Sequence, residues 1–324
     1  MVGPKLSVII PTYNRAGLLP DVVGSVLENS RCDSEVIVVD DGSTDETAEV
    51  VRSFGPPVIY LRQENAGPAA ARNLGFERSR GRYVAFLDSD DRWMPGGGPA
   101  LVELLDRHDG LAMAFGDASM GTPGGDQASV TATFGGAAFR GLPGQDIGQG
   151  ARRLERRPFF RVLARRNVVF LGSLVLRREV VDRVGGFAPE LFGGEDWEFV
   201  MRMAIGHEYA YCDLPIALYV QHAGGISRDS DRMDREFVKA LRRIANHPSL
   251  DRSDRSWIHR QLARHEFGHG YQAYDRGDLR GAREHFALGL QAYPDLRGAA
   301  FWVASNLPPT VLSATRKLKR TLLG

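Results

Sequence analysis

The sequence predicts an α/β protein whose largely parallel sheet carries helices on both faces, followed by an α-helical C-terminal region. Three observations lead there. Over the first hundred residues short β-rich runs alternate with helical patterns across Gly, Asn and Asp turns, the mark of βαβ units. The strands read as unbroken apolar runs, Val8-Ile9-Ile10 and Val36-Ile37-Val38-Val39, as strands covered on both faces must. From Asp231 onward the pattern is helical, with no further convincing strand.

Taken in order, strand 6–11 leads into helix 18–29, strand 35–39, helix 47–54, strand 58–62, helix 69–80 and strand 83–87. Helix 101–106 and strand 111–115 follow. Residues 119–150 are rich in Gly, with scattered Ser, Thr, Pro and Gln and no periodicity, so a mobile loop over the site is expected. Order returns with strand 172–176, helices 178–184 and 195–205, and strands 209–212 and 217–221. The expected division is an α/β part, 1–228, whose second portion is 151–228, and a helical extension, 229–324. Within the extension, 267–278 followed by Ala282, Phe286, Leu290 and Pro294 resembles one tetratricopeptide-type helix hairpin turning at Gly277-Asp278.

Composition bounds the partners. Lys and Arg total 41 against 40 for Asp and Glu, so no overall field argues for nucleic acid. Ten arginines face three acids between Ala151 and Arg183, a stretch suited to a solvated face, an anionic substrate or a membrane surface. The tail Lys317-Leu318-Lys319-Arg320 offers a second peripheral membrane contact. Cys32 and Cys212 are the two cysteines, too few for a disulfide framework and in keeping with a reducing cytoplasm. No export leader is visible, and no apolar run approaches the roughly 20 residues that span a bilayer.

Two strands end in acids, Ile37 to Asp41 before Gly42-Ser43 and Ala85 to Asp88 before Ser89-Asp90-Asp91. Strand ends of open α/β sheets gather ligands, so both point to one crevice. Carboxylates at 88 and 90 on extended chain would face the same way and approach one divalent cation. Asp40 with Ser43 suits a turn cap. Gly67 to Asn73 reads as a helix start whose free N–H groups favour phosphate.

Five segments in order, Pro11-Thr12-Tyr13-Asn14, Asp40-Asp41-Gly42-Ser43, Asn65-Ala66-Gly67 with Arg72-Asn73, Asp88-Ser89-Asp90 and Gly194-Glu195-Asp196-Trp197, resemble family 2 of the glycosyltransferases over roughly residues 5–225. The resemblance implies the GT-A nucleotide-sugar fold and an inverting, metal-dependent transfer. It implies a base pocket at Pro11, Tyr13 and Asn14, with the Tyr13 ring stacking on the base and Asp41 accepting its ring N–H. Arg72 would bind base or diphosphate, and Asp88 and Ser89 the donor. Asp90 would be the principal ligand of Mn²⁺ or Mg²⁺, with Asp88 beside it, Asp91 as runner-up and His222 as a further metal or phosphate ligand. Asp196 would be the general base, with Glu195 as alternate or donor-sugar partner, and Trp197 would stack on a sugar or pack. The implied donor is a nucleoside diphosphate sugar, UDP first and TDP or GDP next. The acceptor would be a glycan or glycolipid, at the inner face of the cell membrane. Val220 stands where the family often has a basic residue, which weakens a diphosphate role there.

Two other readings stand beside this one: a sugar-phosphate nucleotidyltransferase, which would need a Gly- and basic-rich loop after the first strand, and a dead nucleotide-sugar-binding scaffold. His265-Glu266-Phe267-Gly268-His269 also fits the zinc-protease pattern, but it falls in the helix hairpin with no clear third ligand downstream.

Overall fold

A computed structural model describes residues 3–29, 33–121, 132–134, 136–220 and 230–306. The chain divides into two compact units, Met1–Ala240 and Leu241–Gly324.

The first unit is built on one mixed, mostly parallel sheet. β1 (Leu6–Thr12), β2 (Ser34–Asp40), β3 (Val58–Arg62) and β4 (Tyr83–Phe86) run parallel in the order β3-β2-β1-β4. All of β1 and β4 and nearly all of β2 are buried, as their apolar runs require. α1 (Leu19–Asn29), α2 (Thr47–Ser53) and α3 (Pro68–Arg78) are the crossovers. β1 lies between β2 and β4, so the chain order reverses across it and the three strand ends converge. β10 (Leu174–Arg177), antiparallel to both neighbours, joins β4 to β6 (Leu111–Gly121). β11 (Glu208–Val220) pairs parallel with β6, and β9 (Ala151–Leu154) and β8 (Gly144–Gly148) close that edge as antiparallel strands. β5 (Arg92–Trp93) pairs with β11 and β7 (Ala132–Phe134) with β6.

Three expectations are corrected here. The stretch expected as a loop over 119–150 is, in its described part, the end of β6, β7, α5 (Gly136–Arg140) and β8. Its small residues hide the pattern because pairing of β6 with β11 up to Val220 against Gly121, of β7 with β6 and of β8 with β9 supplies the order that hydrophobic periodicity does not. The two expected strands 209–212 and 217–221 are one strand, bulged where Pro215 cannot donate to the ladder. The Arg-rich stretch is partly structural. Arg177 donates to the Leu105 carbonyl at 2.6 Å and to Leu111 at 2.7 Å, and Arg178 donates to Gly81 at 2.7 Å. Arg177 thereby caps α4 (Gly97–Arg107). Arg165 and Arg166 stay exposed.

α6 (Arg156–Leu163), α7 (Arg178–Val184) and α8 (Glu195–Ala204) pack on the sheet's second half, and α9 (Ser230–Ala245) spans the division between the units. Its first part belongs to the first unit for visible reasons. Phe237 stacks on Trp197 with ring centroids 3.8 Å apart, and Glu236 accepts the Phe192 N–H.

The second unit is helical. α10 (Arg252–Arg276) and α11 (Leu279–Ala292) form a hairpin, and α12 (Leu296–Ser305) follows. Gly277 takes φ +87°, the left-handed cap that favours glycine, and Asp278 caps α11 by accepting from Gly281. Phe286 is fully buried over Gly270, so the expected hairpin and its turn are present. No helix among the described residues is long and apolar enough to cross a membrane.

α3 sits close enough to the sheet that a Cβ on Gly75 would lie 2.4 Å from Ile9 Cγ2. Gly75→Val is expected to cost about 1–3 kcal/mol by overpacking, read as a lower urea midpoint at unchanged slope.

Candidate active site

The β2 end forms a cap. Asp40, fully buried, accepts the Ser43 N–H at 2.7 Å and the Tyr60 hydroxyl at 2.6 Å, and Arg62 lies 3.5 Å away. This is the turn-capping role its neighbours imply. Asn14, at φ +51°, ties the β1 loop to the same turn, donating its N–H to Ser43 Oγ and accepting from Thr44. Pro11 is buried in β1, while Tyr13 is 47% exposed.

Asp41 organises the next loop. Its carboxylate accepts from Gln63 at 2.7 Å, from Ala66 N–H at 2.9 Å and from Gly67 N–H at 2.8 Å. Three donors leave about one lone-pair direction for anything else. Gly42, at φ +85°, lets the backbone pass within reach of Asn65, where a Cβ would stand 3.0 Å from the Asn65 nitrogen. Gly42, Arg62, Gln63, Glu64 and Asn65 line an open recess beside Asp41.

At the β4 end the geometry departs from the sequence expectation. Residues 88–91 form a turn, with Asp91 N–H donating to the Asp88 carbonyl, rather than extended chain. The two carboxylates therefore take different cationic partners. Asp88 pairs with Arg72 at 2.6 Å, and Asp90 with Arg15 at 2.8 Å. Asp91, the runner-up ligand, is buried and accepts the Val220 N–H, which fixes the end of β11 instead. Burial, then the charges of Asp90 and Asp88, push the Asp91 carboxyl well above the ordinary range. Ser89 is buried between them. Asp88 and Asp90 keep 36% and 21% of their side chains exposed, so crowded negative charge remains accessible. That donor set fits a hard divalent cation.

Arg72 is not a solvent-facing helix residue. It is buried, donates to Asp88 and, at 2.9 Å, to Glu195, and lies 5.3 Å from the Phe187 ring centroid. Its guanidinium is thus spent on carboxylates rather than offered to a phosphate. Asn73 beside it accepts the Phe187 N–H and donates to the Phe187 carbonyl, holding the segment before α8 against α3.

α8 begins with the candidate base. Glu195 is buried between Arg72 and the Gly193 N–H. Asp196 stays partly exposed, accepting from Trp197 N–H at 2.6 Å and from Asn167 at 3.1 Å. Burial, then the Glu195 charge, raise its carboxyl to about 6. Trp197 packs and does not present a sugar platform: it is buried, stacked on Phe237, and donates to the Leu163 carbonyl at 2.8 Å. His222 lies outside the described residues.

The structure thus brings the Asp88 strand end and the Glu195-Asp196 helix start together through Arg72, and ties Asn14 to the Asp40 turn. Sequence reasoning missed Arg15 and Asn167. Arg15 adjoins the Tyr13-Asn14 motif and was open to notice; Asn167 is 29 residues upstream of its partner and carries no pattern.

Residues 7–163 match the family model of Glycosyl transferase family 2. This stretch is similar to family 2 glycosyltransferases. Among similar proteins, TuaG of Bacillus subtilis (strain 168), a glycosyltransferase ascribed to teichuronic acid biosynthesis, is 48% identical over 95 residues, 28% of this chain and 37% of TuaG. Glycosyltransferase GlyA of Streptococcus pneumoniae serotype 4 is 40% identical over 94 residues, 28% of this chain and 14% of GlyA. The matches with these two relatives span little over a third of TuaG and about a seventh of GlyA. The GT-A fold is shared with S. aureus TarS 1–349 in complex with UDP-GlcNAc, at TM-score 0.67 and 20% identity, covering 93% of this chain and 84% of that one. It is shared also with the mannosyltransferase PcManGT from Pyrobaculum calidifontis in complex with GDP-Man and Mn²⁺, at TM-score 0.57 and 20% identity over 98% and 81% of the two chains.

Arg72→Met leaves Glu195 buried without its cation, and unfolding by urea is expected to show a loss of about 3–5 kcal/mol. Adding Glu195→Gln should restore part of it; if the two losses instead add, the pair is not coupled as the geometry requires.

Proposed function

We propose that the chain is an inverting glycosyltransferase that moves one sugar from a nucleoside diphosphate sugar to an acceptor hydroxyl, in polysaccharide or glycolipid assembly of a bacterial cell envelope. The observation that carries the reading is Asp196, a partly exposed carboxyl with its affinity for protons raised, joined through Glu195 and Arg72 to the acids at the β4 end. A base poised near neutrality takes the proton from an acceptor hydroxyl on the face opposite the leaving group. Asn167 holds it by one oxygen, and the Gly193-Gly194 turn sets the start of α8.

The recess beside Asp41 and the exposed Tyr13 ring support a nucleobase site, with Asp41 fixing its wall and keeping one acceptor direction for a ring N–H. UDP comes first, since TarS is seen with UDP-GlcNAc, and GDP next, since PcManGT is seen with GDP-Man. Asp90 with Asp88 would hold Mn²⁺ or Mg²⁺, which when bound neutralises charge on the departing diphosphate. Arg165 and Arg166 are the surface candidates for an anionic acceptor or membrane contact.

Thermal shift with UDP-, TDP- and GDP-sugars in Mn²⁺ should single out one donor. Asp196→Asn is expected to lower kcat by roughly 10²–10⁴ while that donor still shifts the melting temperature, and Asp90→Asn to abolish the Mn²⁺ dependence of the shift. Transfer left intact in both would overturn these roles; no shift and no transfer with any donor would favour the scaffold. Since Asp196 must be ionised to act, kcat should rise with pH to a plateau above about pH 6, and a flat profile from pH 5 to 8 would rule it out as the base.

A further inference from the structure

We infer that the C-terminal helical unit carries a second, separate metal site, for a borderline divalent ion of the zinc class, formed by Glu266 and His269 of α10 and His285 of α11. Among the described residues these three are the one group of His, Cys, Asp and Glu whose ligand atoms lie together, all within 4.8 Å of one another.

The placement follows from the helix period. Glu266 and His269 are three apart, so both lie on one side of α10, and the hairpin brings α11 alongside it. His285 Nδ1 is 2.8 Å from Glu266 Oε2, and the rings of His269 and His285 meet edge to face with centroids 5.1 Å apart. Glu266 is buried, with 4% of its side chain exposed, and its other oxygen accepts from Arg242 at 2.5 Å. That is the outer support that orients a ligating carboxylate. A hydrogen bond alone needs only Glu266 and His285; His269 adds a second imidazole to the same point.

Two imidazoles and one carboxylate are the ligand types zinc prefers, and Irving–Williams affinity favours zinc, nickel and copper over manganese or magnesium. Zn–N lengths of about 2.0–2.1 Å put tetrahedral ligands roughly 3.3 Å apart, so the widest pair must close by at most about 1.5 Å. The His285 side chain, 38% exposed, has the freedom to make that move.

The site reinterprets the sequence pattern His265-Glu266-Phe267-Gly268-His269. His265 is not in the group, and Glu266 serves as a ligand tied to Arg242, so the Glu general base of a zinc protease is not formed. His285 is the downstream ligand that the sequence did not reveal. Because the ligands come from both arms of the hairpin, the ion would pin α10 to α11, a structural rather than hydrolytic role.

The test uses the full chain with Asp90→Asn, which removes the principal expected ligand of the other metal site. One equivalent of Zn²⁺ should bind in calorimetry and raise the melting temperature, with reversal by EDTA. Co²⁺ in its place should give the visible bands of a low-coordinate, imidazole-ligated ion. His285→Gln and His269→Gln, each added singly, should weaken Zn²⁺ by at least 10–100-fold and remove the Co²⁺ bands, while their melting in EDTA stays that of the parent. Zn²⁺ affinity unchanged by both variants would overturn the site, as would no Zn²⁺ binding to the parent. Should a variant melt early in EDTA, the parent decides the case: featureless Co²⁺ spectra defeat the proposal and imidazole-type bands uphold it.

Discussion

The first unit depends on one buried cation. Arg72 sits inside the protein with Asp88 on one side and Glu195 on the other, two carboxylates 107 residues apart in the chain. A guanidinium out of water is tolerable only if its hydrogen bonds are met by charge, and its planar fork can meet two carboxylates at once. The consequence is geometric. The end of β4, which would carry the donor side, and the start of α8, which would carry the base, cannot drift apart without stranding a charge. The Asn73 bridge to Phe187 reinforces the same seam with neutral hydrogen bonds.

The remaining acids fall into place around that seam by their surroundings. Asp40 and Asp41 are neighbours with different work, because one points into the turn and the Tyr60 hydroxyl while the other meets the amides of the Asn65–Gly67 loop. Asp90 and Asp91 differ likewise: Asp90 reaches the surface beside Arg15, whereas Asp91 is buried against the end of β11, where its charge is disfavoured. Glu195 and Asp196 complete the pattern. The first is neutralised by Arg72 and made structural; the second is left without a cationic partner of its own and so holds its proton more tightly. In each pair, burial and the nearest donor divide labour between chemically equal side chains.

Much of this was legible beforehand, and the reasons are specific. The β1 to β4 order could be read because doubly covered strands are written as apolar runs of characteristic length, and the hairpin turn because Gly277 must take a left-handed conformation. The Asp40-Ser43 cap was legible because its partners lie three residues apart. What escaped were features whose partners lie far along the chain. The 119–150 stretch gains its strands from pairing of β6 with β11, β7 with β6 and β8 with β9, and Trp197 is removed from the crevice by Phe237 and the Leu163 carbonyl. The Asp88–Asp91 turn escaped for a local reason, an i to i+3 hydrogen bond that turned expected extended chain aside.

By itself the sequence determined the α/β class, a motif order resembling that of family 2 glycosyltransferases and the residues from which a site had to be built, since hydrophobic period and turn chemistry act over a few residues. Only the tertiary structure decided which carboxylates carry charge into the crevice and which are consumed in holding it. That choice depends on burial and on cations and amides brought from other elements, and neither is written at the position of the acid itself.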